Sequence, residues 1–144
     1  MKNDLALYDR HASDWWDEDS RFAASLHALN RVRIDEVRGM MGAAFSGRVV
    51  DLGCGGGLLS EPLARGGATV VGVDISAESV RAASVHGCGY QRLYYVRADA
   101  AHPPLPDAWA DLVVCADVVE HIQAWSSVVA AAARVAKPGA RFYV

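Results

Sequence analysis

Cysteine is scarce in this 144-residue chain: Cys54, Cys88 and Cys115 form no CxxC pair and no even framework. That argues against a disulfide scaffold or a zinc site and predicts reduced thiols in a cytoplasmic protein. An excess of one charge is also lacking. The net charge is −3, with acids and bases scattered along the chain, so nucleic acid is not the expected partner. Long apolar runs are missing too. The longest stretch free of Asp, Glu, Lys and Arg, His121 to Ala133, falls short of the ~20 residues that cross a bilayer. The opening Met1-Lys2-Asn3-Asp4 has none of the basic-then-apolar order of a signal peptide. What is abundant is apolar residue, 52% of the chain. With so small a net charge this excludes disorder, and the length predicts one compact unit.

Pattern divides the chain where charge does not. Residues 5–46 carry no strand-like alternation. Leu26, Leu29, Val32, Arg33, Val37 and Met40 recur near helical spacing and predict an amphipathic helix over roughly 21–42. Upstream, Asp14-Trp15-Trp16-Asp17-Glu18-Asp19 reads as a short helix that packs one indole and leaves its acids in water. From residue 47 onward short apolar runs alternate with helix-compatible stretches. The runs are Arg48–Leu52, Thr69–Val73, Leu93–Val96, Ala110–Cys115 and Arg141–Val144, and the helical stretches are Leu58–Arg65, Glu78–Val85 and Trp125–Ala136. Ser76 is a reasonable N-cap for the second helix, and Lys137-Pro138-Gly139 stops the last one. Apolar strands without clean alternation imply burial on both faces. Strand and helix in alternation predict an α/β, Rossmann-like, doubly wound parallel sheet of order 3-2-1-4-5. Residues 1–46 then form a helical cap on a 47–144 core. In such sheets ligands bind at the strand carboxyl ends, where the glycines after the first strand, Asp74, Asp99 and Asp117 all fall.

Asp51-Leu52-Gly53-Cys54-Gly55-Gly56-Gly57 follows a strand and opens a helix. Glycine is required where the backbone takes positive φ or where a ligand lies against Cα. The dinucleotide fingerprint G-x-G-x-x-G wants glycine at position 58, which here is Leu58. A G-x-G-x-G loop after an acidic strand end suits S-adenosylmethionine (SAM), which carries no phosphate, better than NAD. Asp74, about 20 residues beyond the first glycine, is placed to accept both ribose hydroxyls. Asp51 either orders the loop or meets the cofactor's ammonium group. Asp99 either receives the adenine amino group or caps a turn. His102-Pro103-Pro104-Leu105-Pro106 is a rigid connection.

Val49 to Gly57 with Asp74, Asp117-Val118-Val119-Glu120-His121 and Lys137-Pro138-Gly139 resemble class I SAM-dependent methyltransferases. Trp15-Trp16-Asp17, Leu26-His27-Ala28-Leu29-Asn30 with Arg33, Gly67-Ala68-Thr69-Val70 and Glu120-His121 narrow the resemblance to the ubiquinone-biosynthesis O-methyltransferases, which methylate phenolic hydroxyls of polyprenylated catechols. It covers the chain from about Tyr8 onward. By that resemblance Arg33, Gly53, Asp74 and Ala116 contact SAM, alongside Asp51, Gly55, Gly57 and Asp99. Without it, Arg33 reads as an exposed helix charge. Asp117, Glu120 and His121 match a Glu-x-x-Glu-His pattern implied to be catalytic and to hold a divalent cation such as Mg2+. Asp117 departs from that pattern by one methylene, and Glu120-His121 otherwise reads as a helix start.

The implied partner is a small-molecule acceptor, a phenol or quinone precursor, with peripheral membrane contact in the full-length protein. Other acceptors, an NAD-binding fragment and a non-catalytic cofactor-binding remnant are the alternatives. The family pattern places two further strands and an acceptor-covering segment after Val144. A truncated 144-residue form is therefore expected to be weakly stable or to associate, and to be inactive alone.

Overall fold

A computed structural model describes residues 5–42 and 44–144. Two short elements come first, α1 (Leu5–Arg10) and a 3-10 turn (Ala12–Asp14), followed by α2 (Ala24–Met41). The remainder alternates: β1 (Arg48–Leu52), α3 (Ser60–Arg65), β2 (Thr69–Asp74), α4 (Ala77–His86), β3 (Leu93–Arg97), β4 (Ala110–Val114), a 3-10 turn (Val119–His121), α5 (Trp125–Val135) and β5 (Ala136–Tyr143). All four strand pairings are parallel, and the order is β3-β2-β1-β4-β5. This is the doubly wound sheet that the strand–helix alternation predicts.

Both faces of the sheet are buried, as its unalternating strands require. On β1, Val49 packs with Val70, Leu112 and Val114 against Val37 of α2 and Leu59 and Leu63 at α3. Its neighbours Val50 and Leu52 point the other way, onto Val128, Ala132 and Val135 of α5. A third cluster joins Ala12, Trp15 and Leu58, with Tyr8, Trp16, Phe22 and Leu26 packed around it. The acids after the tryptophans, Asp17, Glu18 and Asp19, are exposed. The backbone before them forms only a 3-10 turn, and both indoles, not one, find partners.

Three element ends depart from the sequence reading. Helix α3 starts at Ser60 instead of Leu58, after a turn that leaves the positive φ of Gly57. Helix α2 presents its stripe differently: Leu26, Leu29, Asn30 and Arg33 line a cavity, while Ile34, Val37, Met40 and Met41 meet the core. Strand β5 begins at Ala136, before Lys137-Pro138-Gly139. Ala110 pairs with Ala136, and the ladder resumes only at Leu112 with Arg141. The residues between bulge outward, where a proline without an N–H and a glycine at φ +80 cost the sheet least. Lys137 Nζ still reaches back to Asp111 Oδ1 at 2.6 Å. Ser76 caps α4 as expected, its hydroxyl accepting Ser79 N–H at 3.0 Å. Among the described residues no helix is long and apolar enough to cross a membrane.

Leu112 is fully buried on the central β4 strand. Leu112→Ala is expected to cost about 2–5 kcal/mol, read as a lowered urea midpoint with an unchanged transition slope.

Candidate functional site

The carboxyl ends of β1, β2 and β4 open into one cavity of about 530 Å3, roofed by α1, the tryptophan segment and α2. Asp51, Gly53, Gly55, Asp74, Asp99, Ala116, Asp117, Glu120, His121 and Arg33 all line it. Gly57 does not face this space. Its place is in the loop geometry.

The loop is anchored first by backbone. Gly53 N–H and Cys54 N–H both donate to the Val73 carbonyl, at 2.7 and 3.1 Å, which pins the end of β1 to β2. Gly55 has φ +51, a left-handed value that glycine takes without a Cβ penalty. A Cβ there would also stand 2.6 Å from the Trp15 ring. Gly56 has no positive φ, yet a Cβ on it would overlap the Trp15 indole outright. The close approach anticipated from a ligand is therefore made, at Gly55 and Gly56, by the protein's own tryptophan. Trp15 Nε1 donates to Ser79 Oγ at 3.1 Å, and Trp16 Nε1 donates to the Gly56 carbonyl at 3.0 Å.

Asp74 stands at the end of β2 with both oxygens engaged. Oδ2 accepts Gly55 N–H at 2.9 Å and Oδ1 accepts Ser76 N–H at 2.8 Å. Burial raises its pKa, opposed by those N–H groups. Each carboxylate oxygen keeps a second lone pair, so the group retains acceptor capacity toward the cavity. Asp51 lies beneath the loop, 3% exposed, and accepts the Ser60 hydroxyl at 2.5 Å. Burial pushes its pKa up to about 6, with the Ser60 hydrogen bond pulling the other way. Asp99 is exposed and accepts Ala101 N–H at 2.8 Å. It caps its turn and also lines the cavity.

Arg33 and Asp117 meet across 84 residues of sequence: the guanidinium donates to Asp117 Oδ1 at 2.6 Å. That bond, ahead of the opposing burial, raises the Arg33 pKa. Arg33 is therefore not the exposed helix charge that α2 alone would suggest; its side chain is 17% exposed. The same pair lends no support to the expected cation site. Asp117 has φ +56, so Asp117 and Glu120 do not share a helical face, and the Asp117 carboxylate is already committed to a cation of the chain itself. Among the described residues no group of three His, Cys, Asp or Glu side chains converges as metal ligands. Asp117, Glu120 and His121 share the cavity wall without forming a Mg2+ centre.

Several contributors escaped the sequence reading. Ser60 and Ser79 serve as partners to Asp51 and Trp15, and serines at helix starts give no sign of such long-range bonds. Tyr8 lines the cavity and stacks near Trp15 at 6.3 Å, and its hydroxyl pKa is raised by burial and then by Asp74, Asp117 and Glu120.

A methyltransferase-domain family model matches residues 50–144, which is most of the chain. The chain belongs to the methyltransferase-domain family. It is 36% identical over 143 residues to the ubiquinone biosynthesis O-methyltransferase of Sodalis glossinidius (strain morsitans), covering 98% of this chain and 57% of that protein. The protein of the same name in Klebsiella pneumoniae (strain 342) is 37% identical over 142 residues, covering 97% and 58%. The chain thus spans a little under three-fifths of these curated relatives. In structure it is similar to magnesium protoporphyrin IX methyltransferase from Synechocystis PCC 6803, which was solved with bound S-adenosylhomocysteine (SAH). The TM-score is 0.73 at 22% identity, covering 93% of this chain and 64% of that one. The fold is that of the class I methyltransferases, with their Rossmann-like parallel sheet.

Asp51 makes a signed prediction for this methyltransferase fold. Its folded pKa lies above the unfolded value, so the folded state holds more protons between about pH 4 and 6 and stability falls as pH rises through that window. Asp51→Asn keeps an acceptor for Ser60 and should flatten that fall, worth about 1–3 kcal/mol, in urea titrations at pH 4, 5, 6 and 7. A fall of the same size in the variant would remove Asp51 as its cause.

Proposed function

We propose that this chain is the SAM-binding part of a methyltransferase that transfers a methyl group to the hydroxyl of a small phenol or catechol, such as a quinone precursor. The observation that supports the reading best is Asp74. It is a partly buried carboxylate that orders the glycine loop through Gly55 and still faces the cavity with free lone pairs, where a ribose diol would engage both of its oxygens.

In this reading the cavity residues take complementary parts. Arg33 carries five N–H donors in a fixed fork. With one on Asp117, the others meet the methionine carboxylate of SAM, and Asp117 keeps the fork from turning away. Asp51 faces the ammonium end of the same ligand, Asp99 the adenine amino group, and Ala116 leaves room beside it. The bound donor supplies a methyl group already activated on a sulfonium, so placing the acceptor oxygen in line with it provides most of the rate. His121 takes the proton of the phenol, whose pKa near 10 otherwise keeps it neutral. As the C–O bond forms and the C–S bond breaks, the electron pair stays on sulfur and the product is a neutral thioether. Glu120 helps carry the imidazolium charge. The relatives named for ubiquinone biosynthesis support the hydroxyl as the acceptor class.

The test is calorimetry with SAH, followed by transfer of labelled methyl to a panel of catechols, phenols and amines. SAH should bind, and Asp74→Ala should weaken it at least about tenfold, the loss of one charge-assisted pair of hydrogen bonds. Affinity should also rise as pH passes through about 6, because the ammonium group of SAH favours ionised Asp51. Chelation by EDTA should leave SAH binding unchanged. No heat from a folded sample, or an Asp74→Ala variant that binds as the parent does, overturns the reading.

A further inference from the structure

The segment that roofs the cavity rests along α4 from one end to the other. At the N-terminal end, Ser76 Oγ donates to Asp9 Oδ1 at 2.6 Å and Trp15 Nε1 donates to Ser79 Oγ. At the C-terminal end, the Trp16 indole lies flat on the His86 imidazole, with centroids 3.6 Å apart and planes within 5°. The imidazole is itself held, because His86 Nδ1 donates to Glu61 Oε1 at 2.7 Å. Glu61 belongs to the first turn of α3 and is 1% exposed. Its other oxygen, Oε2, is buried with no hydrogen-bond partner among the described residues.

A buried carboxylate with one unmatched oxygen costs stability that an apolar residue would not. What the carboxylate does here is fix a ring. The connection runs from Glu61 to His86, from His86 to Trp16, and from Trp16 Nε1 to the Gly56 carbonyl, returning to the loop that leads into Glu61's own helix. The Gly56 carbonyl sets the peptide plane that continues into Gly57, one residue after the N–H that Asp74 accepts. We propose that Glu61 and His86 are positioning residues for the cofactor loop: the carboxylate holds the imidazole, the imidazole holds the Trp16 indole, and the indole holds the Gly56 carbonyl, fixing the loop whose Gly53 and Gly55 face the cavity. The role of the loop rests on the reading in the preceding subsection. The closed chain of contacts does not.

The experiment is a double-mutant cycle on His86 and Trp16, both of which are only partly buried. His86→Ala and Trp16→Phe should each weaken SAH binding about tenfold, and the double variant should bind no more weakly than the worse single, because both cut the same chain. Additive losses overturn the proposal. Glu61→Gln keeps an oxygen to accept the Nδ1 proton and should retain near-parental affinity, whereas Glu61→Ala should match His86→Ala. If the Glu61 variants do not fold, the His86–Trp16 cycle decides alone. Two readouts need no ligand. His86→Ala should shift tryptophan emission to the red and speed amide exchange across residues 53–57, and parental emission and exchange would overturn the positioning role. If the parent chain binds no SAH, the proposed function fails, while exchange at residues 53–57 still decides this inference.

Discussion

Two indoles seated on Gly55 and Gly56 hold this site together. A loop that passes through positive φ at Gly53, Gly55 and Gly57 carries almost no side chain with which to hold itself, and glycine gives up more freedom on folding than any other residue. Its shape must come from outside. Trp15 covers the Cα atoms of Gly55 and Gly56, Trp16 takes the Gly56 carbonyl, the Val73 carbonyl takes the N–H groups of Gly53 and Cys54, and Asp74 takes the N–H of Gly55. Each donor or acceptor satisfied in this way is one that would otherwise lie unpaired in a buried loop. The loop is thus organised before any ligand arrives, which is what a precise binding site needs from its surroundings.

Charge follows the same logic. Asp51, Asp74, Asp99, Asp117 and Glu120 line a cavity that offers one arginine in return. In an ordinary core such an imbalance is an error. Here it suits a ligand with positive charge at its sulfonium and ammonium centres and one carboxylate. Asp51 shows the cost most plainly: burial lifts its pKa to about 6 with only a serine hydroxyl directly bonded. Under the proposed function, retaining a carboxylate at that depth sacrifices stability for a charge that the ligand's ammonium group would meet.

Much of the fold was legible because it is set by local rules. Short β-branched runs, glycine and proline stops and right-handed crossovers leave few ways to arrange five parallel strands, and the Ser76 cap and the acid ending β2 follow from residue type and place. The errors share a cause. Asp117 and Glu120, three apart, would face one point on a helical or turn-like backbone, and the left-handed Asp117 departs from the helical case. On α2 periodicity records that a face is apolar, not what it faces; Leu26 and Leu29 face a cavity. Glu61 gave no signal, since an acid in the first turn of a helix is ordinary on a surface and only the packing of α4 and the tryptophans buries it. The close approach at the glycines was anticipated, and its author was misassigned. A sequence shows that Cα is bare, not whether a ligand or an indole lies against it.

That last point bears on where specificity resides. The match to the methyltransferase-domain family begins at residue 50, inside β1, so the residues that mark the superfamily lie in the sheet and its loops. Arg33, Tyr8, Trp15 and Trp16 precede it, yet they line or anchor the same cavity. A parallel sheet with a glycine loop and an acid after β2 provides a place for an adenosine. The segment before it contributes to closing that cavity and supplies its arginine, because α1, the tryptophan segment and α2 lie across the carboxyl edge of the strands. Arg33 illustrates the division. Its guanidinium comes from α2 and its anchor, Asp117, from beyond β4, so neither part of the chain can set the cation's position without the other. A change of acceptor or of cofactor affinity in this architecture is therefore made most readily in residues 5–42, where side chains move relative to a loop whose backbone stays fixed.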